Sequence, residues 1–305
     1  MMDRHNHYYR QVQLLLEIIP FVAKHECFAL KGGTAINLFF RDFPRLSVDI
    51  DLVFLPMQAR NEALETIKGN LDTLAVTIEN KLPNTRVIRA FQDNLDALRL
   101  LVERDHVQIK IELSPVLRGT VYPPKLMPVS AAVEDEFGFA EMAVVSFADV
   151  YAGKICAALD RQHPRDLFDV KQLLDNEGLT EELRKALIVY VISHPRPIAE
   201  LLNPKFKDIS GIYQGEFLNM AKQNIPQAEL EATRAMLVHL LNTQLTESER
   251  EFLLSFKNCK PDWTLLALDG IDLLPAVRWK LQNLKKMKPE KHFEAFIRLE
   301  KLLRK

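Results

Sequence analysis

The stretch richest in chemistry is Leu46-Ser47-Val48-Asp49-Ile50-Asp51-Leu52-Val53-Phe54. Val48, Ile50, Leu52 and Phe54 alternate with Ser47, Asp49, Asp51 and Val53, the period-2 pattern of a strand. That period puts Asp49 and Asp51 on one face, about 7 Å apart along the strand. Two like charges side by side in an apolar strand repel and lose hydration. A cation between them removes both penalties. Oxygen-only ligands favour a hard ion, and Mg2+ takes one or two carboxylates and fills its shell with phosphate oxygens. The alternative is a solvent-facing strand with harmless charges, and an Asp-x-Asp alone does not decide.

Upstream, Gly32-Gly33-Thr34 follows an apolar strand, Glu26 to Leu30, and opens a helix that runs to Phe40. Glycines let backbone N–H groups approach an anion, and a helix N-terminus favours negative charge. Thr34 adds a hydroxyl contact or serves as a plain N-cap. Downstream, alternation along Val107 to Leu113 places Glu112 on the polar face with Lys110 and Gln108. A neighbouring strand could bring Glu112 beside Asp49 and Asp51 as a third carboxylate, or Glu112 simply pairs with Lys110. Other chemistries lack their residues. The sequence has no Walker pattern, no His-x-x-x-His with a nearby Glu, and no Gly-x-Ser-x-Gly elbow. Cys27 and Cys156 sit in apolar surroundings unsuited to a reactive thiolate.

The elements that must position these residues read as follows. A helix over Tyr9 to Ala23 leads into the first strand, and a helix from Gln58 to Lys68 follows the Asp strand. Arg86 to Phe91, Leu98 to Arg104 and Val107 to Leu113 are further strands, the last two joined in a hairpin by a tight Arg-Asp-His turn. From Ser114-Pro115 through Pro123-Pro124 and Pro128 the chain reads as irregular. Ser146 caps a helix from Phe147 to about Arg161, with Asp149 in the capping-box position. After His163-Pro164 a helix from Arg165 to Asn176 has Leu167, Val170 and Leu174 as its core stripe and Asp166 and Asp169 on an adjacent face. Lys154 and Arg161 share one face of the preceding helix, so a salt-bridged helix pair is one reading of these four residues. Only helices follow, with turns at His194-Pro195, Pro226, Pro261 and Pro289. The expected fold class is α+β: a mixed sheet with helices over residues 1–145, then an all-helical lobe over residues 146–305 with a basic C-terminal tail.

The chain of 305 residues is 48% hydrophobic and 27% charged, ordinary for a soluble globular protein. Its first ten residues are polar and charged, unlike a secretory leader, and His5 and His7 fall in a terminus expected to fray. The longest apolar stretch, Leu14 to Ala23, is broken by Glu17 and Pro20 and is too short to span a bilayer. Three widely spaced cysteines, Cys27, Cys156 and Cys259, read as reduced, buried thiols of a cytoplasmic protein. Net charge is −1, yet Arg278 to Lys305 holds ten Lys/Arg against three Glu, a net +7 that leaves −8 on the rest. Such asymmetry marks contact with nucleic acid or an acidic partner, or else a solvated basic helix face.

Gly32-Gly33-Thr34-Ala35 followed by Arg45-x-Ser47-x-Asp49-Ile50-Asp51-Leu52 resembles the minimal nucleotidyltransferase pattern of a Gly-Gly loop and an Asp-x-Asp. Lys154-x-x-Ala157-x-x-x-Arg161 and Arg165-Asp166-x-x-Asp169-Val170 extend the match. Together these resemble the AbiEii/AbiGii toxin family, the nucleotidyltransferase-like toxins of bacterial toxin–antitoxin and abortive-infection pairs. The four motifs cover about Phe28 to Leu174, and their order and spacing make the combination specific. The resemblance implies a two-lobed enzyme with the triphosphate of an NTP bound between lobes. Asp49 and Asp51, with Glu112 as a less regular third, would ligate Mg2+. Gly32, Gly33 and Thr34 would hold the phosphates, with Arg45 assisting. Lys154 would reach the triphosphate from the helical lobe, and Asp166 would orient Lys154 or the attacking hydroxyl. The implied acceptor is an RNA end such as that of tRNA, and the implied partner a DNA-binding antitoxin encoded nearby. Transfer to a small molecule or protein hydroxyl, or nucleotide binding without turnover, are the alternatives. The Ser that the family often carries stands here as Thr34.

Overall fold

The computed structural model describes residues 7–92, 97–218 and 220–304; His5 and Lys305 lie outside them. The chain divides into two compact units, residues 1–146 with 219–224, and residues 147–218 with 225–305.

The first unit opens with helix α1 (His7–Val22), whose Val12, Leu15, Ile18, Ile19 and Val22 repeat at helical spacing and are fully buried. Strand β1 (Phe28–Lys31) runs into a short helix α2 (Gly32–Ala35), continued by one π-helical turn, Ile36–Phe40. Then come β2 (Asp49–Phe54), α3 (Arg60–Lys81), β3 (Thr85–Arg89), β4 (Arg99–Arg104), β5 (Val107–Leu113), β6 (Lys125–Pro128), α4 (Ala131–Phe137) and β7 (Glu141–Val144). Among the described residues the seven strands form one mixed sheet in the order β3-β4-β5-β2-β1-β7-β6. Strand β2 lies at its centre, antiparallel to β1 and parallel to β5. Ile50, Leu52 and Phe54 of β2 and Ile109, Ile111 and Leu113 of β5 are buried, while Asp49, Asp51, Lys110 and Glu112 alternate onto the other face. Helices α1 and α3 pack against the sheet.

The structure differs from the sequence reading at three places here. Helix α3 extends to Lys81 rather than Lys68, because Leu71, Leu74, Ala75 and Ile78 carry its buried stripe past Gly69. The stretch read as irregular holds β6, α4 and β7. Strand β7 lies parallel to β1, with Leu30 opposite Val144; four-residue strands are too short for alternation to announce. The Asp strand begins at Asp49, since Pro44 and Leu46 bond instead to Lys222 and Met220 of the returning segment, on either side of a bridge between Arg45 and Ala221.

The second unit is helical: α5 (Phe147–Asp160), α6 (Pro164–Asn176), α7 (Glu181–Ser193), α8 (Ile198–Leu202), α9 (Ser210–Ile212), α10 (Gln227–Gln244), α11 (Glu247–Lys257), α12 (Pro275–Lys285) and α13 (Pro289–Leu303). Helix α6 starts with Pro164, pre-set in φ for a first turn, and its buried stripe is Leu167, Phe168, Val170 and Leu173. Leu174, expected in that stripe, is half-buried, so the stripe lies one residue to its N-terminal side. All three cysteines are free, but only Cys156 is buried; Cys27 and Cys259 are half-buried.

Candidate active site

Strand β1 delivers Lys31 directly opposite Asp51 of β2, and the chain then turns on Gly32. The φ of Gly32 is +75°, and a Cβ at that position would sit 2.4 Å from Asp51 Oδ2. Only glycine allows the backbone to lie this close to the carboxylate. Gly33 is confined by its neighbours rather than by its φ. A Cβ there would fall 2.9 Å from both the Arg45 guanidinium and Ser47 Oγ. Thr34 is fully buried; its hydroxyl donates to the Asp49 carbonyl and lies 3.1 Å from Ser47 Oγ. Asn37 donates to the Gly33 carbonyl at 2.8 Å. Arg45, 2% exposed, donates to the Leu46 carbonyl at 2.8 Å. The glycine loop is thereby fastened to the start of the Asp strand at several points.

The same face carries a cross-strand charge row. The parallel β2–β5 register sets Asp49 opposite Lys110 and Asp51 opposite Glu112. Lys110 Nζ is 2.8 Å from Glu112 Oε2 and 3.9 Å from Asp49 Oδ2, and Arg99 of β4 lies 3.4 Å from Glu112 Oε1. Burial pulls the Lys110 pKa down, but the Glu112 hydrogen bond and the Asp49, Glu112 and Asp51 charges outweigh it and leave the ammonium above its ordinary value. These side chains are about one-third to two-fifths exposed, so a ligand has access. Among the described residues no group of three or more His, Cys, Asp or Glu is arranged to hold a metal ion.

In the helical unit Lys154 of α5 is 7% exposed, its Nζ 2.9 Å from Asp166 Oδ1 and 3.0 Å from Asp169 Oδ2 of α6. Arg161 lays its fork on Asp166, with its terminal nitrogen at 2.8 Å from Oδ1. Burial alone would raise the Asp166 carboxyl, but the Lys154 and Arg161 charges and hydrogen bonds overcome it and hold it far below the carboxylate range. Asp149 accepts from the Tyr190 hydroxyl at 3.2 Å.

The family model for the nucleotidyl transferase AbiEii toxin, of a type IV toxin–antitoxin system, matches residues 13–283. The chain belongs to this family. No curated relative matches the sequence. Among solved structures the fold is similar to MenT4, a nucleotidyltransferase toxin from Mycobacterium tuberculosis H37Rv. The match has a TM-score of 0.59 and 15% identity, and covers 91% of this chain and 93% of that one. As an AbiEii nucleotidyltransferase the protein draws on a nucleoside triphosphate and is the toxin half of a pair with an antitoxin.

Within this AbiEii chain the structure brings Gly32, Gly33, Thr34, Arg45, Asp49, Asp51 and Glu112 together on one face of the first unit. Lys154 and Asp166 share a separate cluster in the second unit. Sequence reasoning assigned no role to Ser47, which borders Gly33 and Thr34, nor to Arg99. The strand period places Ser47 on the face of Asp49 and Asp51, a signal that was legible. Nothing local announces Arg99, whose position depends on the β4–β5 register.

Proposed function

We propose that this AbiEii toxin transfers a nucleotidyl group from an NTP to a hydroxyl at an RNA end, with tRNA as the acceptor class. The acceptor oxygen forms a bond to the α-phosphorus while the bond from that phosphorus to the β-bridging oxygen breaks. Pyrophosphate leaves with the electron pair, and the hydroxyl proton passes to solvent. The observation that carries the reading is the close approach of the Gly32 turn to Asp51, which leaves no room for a Cβ and sets a glycine loop against a pair of carboxylates on one sheet face.

The donor set fits magnesium that arrives with a triphosphate. It is all oxygen and about one-third to two-fifths exposed, open to an incoming triphosphate. Asp49 and Asp51 would be the ion's two protein ligands. Glu112, engaged by Lys110 and Arg99, joins as a third when those ion pairs release it. Once bound, the ion neutralises charge on the phosphates during displacement. Gly32 and Gly33 offer backbone N–H groups to the phosphates, and buried Arg45 with Thr34 and Ser47 keeps that loop in place. Lys154, whose ammonium is held by Asp166 and Asp169, is the residue that the family resemblance assigns to the triphosphate. Asp166 then acts as the positioning residue for Lys154. Among the described residues no helix is long and apolar enough to cross a membrane. A cytoplasmic site of action, beside a DNA-binding antitoxin encoded nearby, completes the reading.

The test is incubation of the protein with each radiolabelled NTP, total RNA and Mg2+ or EDTA. Label on RNA that depends on Mg2+ and vanishes in Asp49→Asn supports the proposal. Label on protein or a small molecule overturns the acceptor assignment, and NTP binding without transfer overturns the catalytic one.

A further inference from the structure

The cations of residues 278–305 do not act alike once folded. Lys280 is buried and donates to the carbonyls of His194, Pro195 and Arg196 at 2.6, 3.2 and 2.7 Å, closing the end of α7. Arg298 pairs with Glu200, Arg304 with Glu251 and Glu300, and Arg278 donates to the Asp272 carbonyl. Of the other six, Lys305 lies outside the described residues and exposed Lys301 stands further along α13; Lys285, Lys286, Lys288 and Lys291 gather around the α12–α13 junction, all exposed and without an ion pair to any described residue.

A second segment joins them. The His292 imidazole donates to the Lys257 carbonyl at 2.8 Å and lies 3.6 Å from Cys259 Sγ, while Lys257 Nζ is 4.0 Å from Met287 Sδ. These contacts fasten the end of α11 to the junction and add exposed Lys260 to the cluster. Burial, with the Lys257 charge beside it, brings Lys280 down to about 8. Burial raises the Cys259 thiol against the charges of Lys257 and Lys285.

A solvated basic helix end explains Lys285, which sits in the last turn of α12 where a cation is favoured. It does not explain Lys288 and Lys291. These stand at the N-cap and in the first turn of α13, where the helix end repels a cation. Glu290 in the same turn offsets one of the two cations, and the remaining excess of positive charge at a helix start points to an external counter-charge. Trp279 and Phe293, 54% and 64% exposed, flank the lysines in sequence and offer ring faces for stacking.

We propose that Lys260, Lys285, Lys286, Lys288 and Lys291 form a patch that grips the phosphate backbone of the RNA acceptor, with Trp279 and Phe293 beside it for unpaired bases. This rests on the RNA-acceptor reading above. The rest of the chain, with its net −8, repels a polyanion, so the patch also decides where RNA lands. The family match ends at residue 283, and four of the five lysines lie beyond it.

The experiment follows fluorescently labelled unfractionated tRNA by anisotropy, from low to high salt, against wild type and the triple variant K285E/K286E/K288E. Three lost phosphate contacts should lower the slope of log affinity against log salt by about two and weaken binding about tenfold or more at moderate salt. NTP affinity should not change. The neutral triple K285Q/K286Q/K288Q should show the same loss of slope, and it carries the test if the reversed variant melts early. An unchanged slope and affinity in a folded variant would mean a merely solvated face and overturns the proposal. Loss of antitoxin binding with tRNA affinity intact overturns it in favour of an acidic protein partner. Transfer of label from NTP to RNA is read separately, so failure of the acceptor reading is distinguishable from failure of the patch.

Discussion

Gly32→Ala would place a methyl group 2.4 Å from Asp51 Oδ2 in a backbone at φ +75°. The strained φ alone costs about 1–2 kcal/mol, and the collision adds to it. The variant should melt several degrees lower and lose transfer at least as completely as Asp51→Ala does. A variant with wild-type turnover would separate the loop from the site. Asp49→Ala and Asp51→Ala should abolish metal-dependent transfer while leaving the apo melting temperature close to that of wild type, since each carboxylate is partly exposed and interacts with Lys110 across the sheet face. Lys110 gives a finer test. Its ammonium, 3.9 Å from Asp49 and 2.8 Å from Glu112, stands where an incoming cation would be drawn. Lys110→Met should therefore bind Mn2+ several-fold more tightly in the absence of NTP, as read by paramagnetic resonance, and weaker binding would show that Lys110 organises the carboxylates instead. Asp49 and Asp51 were legible because strand alternation is local. The placements of Thr34 and Arg45 were not, because the acceptor of the Thr34 hydroxyl and the wall that Arg45 gives Gly33 are supplied by residues 12 to 15 positions away along the chain.

At the scale of the element, the pairing of α5 with α6 turns on one buried charge cluster. Removing Lys154 leaves the Asp166 and Asp169 carboxylates buried in the second unit with one cation fewer, and breaking such a pair from one side costs about 3–5 kcal/mol. Lys154→Ala should thus melt well below wild type. A titration with NTP on the same variant decides its second role. Weakened NTP binding in the folded protein supports the triphosphate contact, and normal binding with early melting makes Lys154 a structural partner alone. Asp166 also sets an acid limit. Its folded pKa lies below the unfolded value of about 3.9, so its stabilisation is complete above that pH and is lost as pH falls toward the folded value. Melts of wild type and Asp166→Asn should keep a constant gap from pH 7 to about pH 4 and begin to narrow below it; a gap that already narrows above that pH would sink this attribution. The motif residues of this cluster were readable in order, while the partner choice was not, since two Asp and two cations on facing helices allow several pairings. Helix α3 was underread for a different reason, because Gly69 interrupts the propensity of the segment but not its apolar period. Strand β7 was missed because its identity comes from pairing with β1, more than a hundred residues away.

Across the whole molecule, the first unit is not closed by its own stretch of sequence. The chain leaves it at Ser146, builds helices, and returns with residues 219–224 before going on to α10. In that return the Leu46 amide donates to the Met220 carbonyl at 2.9 Å and the Lys222 amide to the Pro44 carbonyl at 2.8 Å, bracketing a bridge between Arg45 and Ala221. The Lys222 ammonium lies 5.1 Å from the Phe43 ring centre and donates to the Asp42 carbonyl. No local pattern predicts such a strap, because backbone bonds carry no side-chain signature. Its consequence reaches the glycine loop, since Arg45 is the wall against which Gly33 packs. Lys222→Pro deletes both the amide donor and the cation over Phe43 without touching a loop or Asp residue. The variant should keep its helical unit intact by circular dichroism, yet bind NTP several-fold more weakly and exchange the Leu46 amide much faster than wild type. Alanine at the same position removes only the ammonium and should fall between the two. If Lys222→Pro exchanges Leu46 faster but binds NTP with unchanged affinity, the strap stabilises the sheet and plays no part in shaping the phosphate loop.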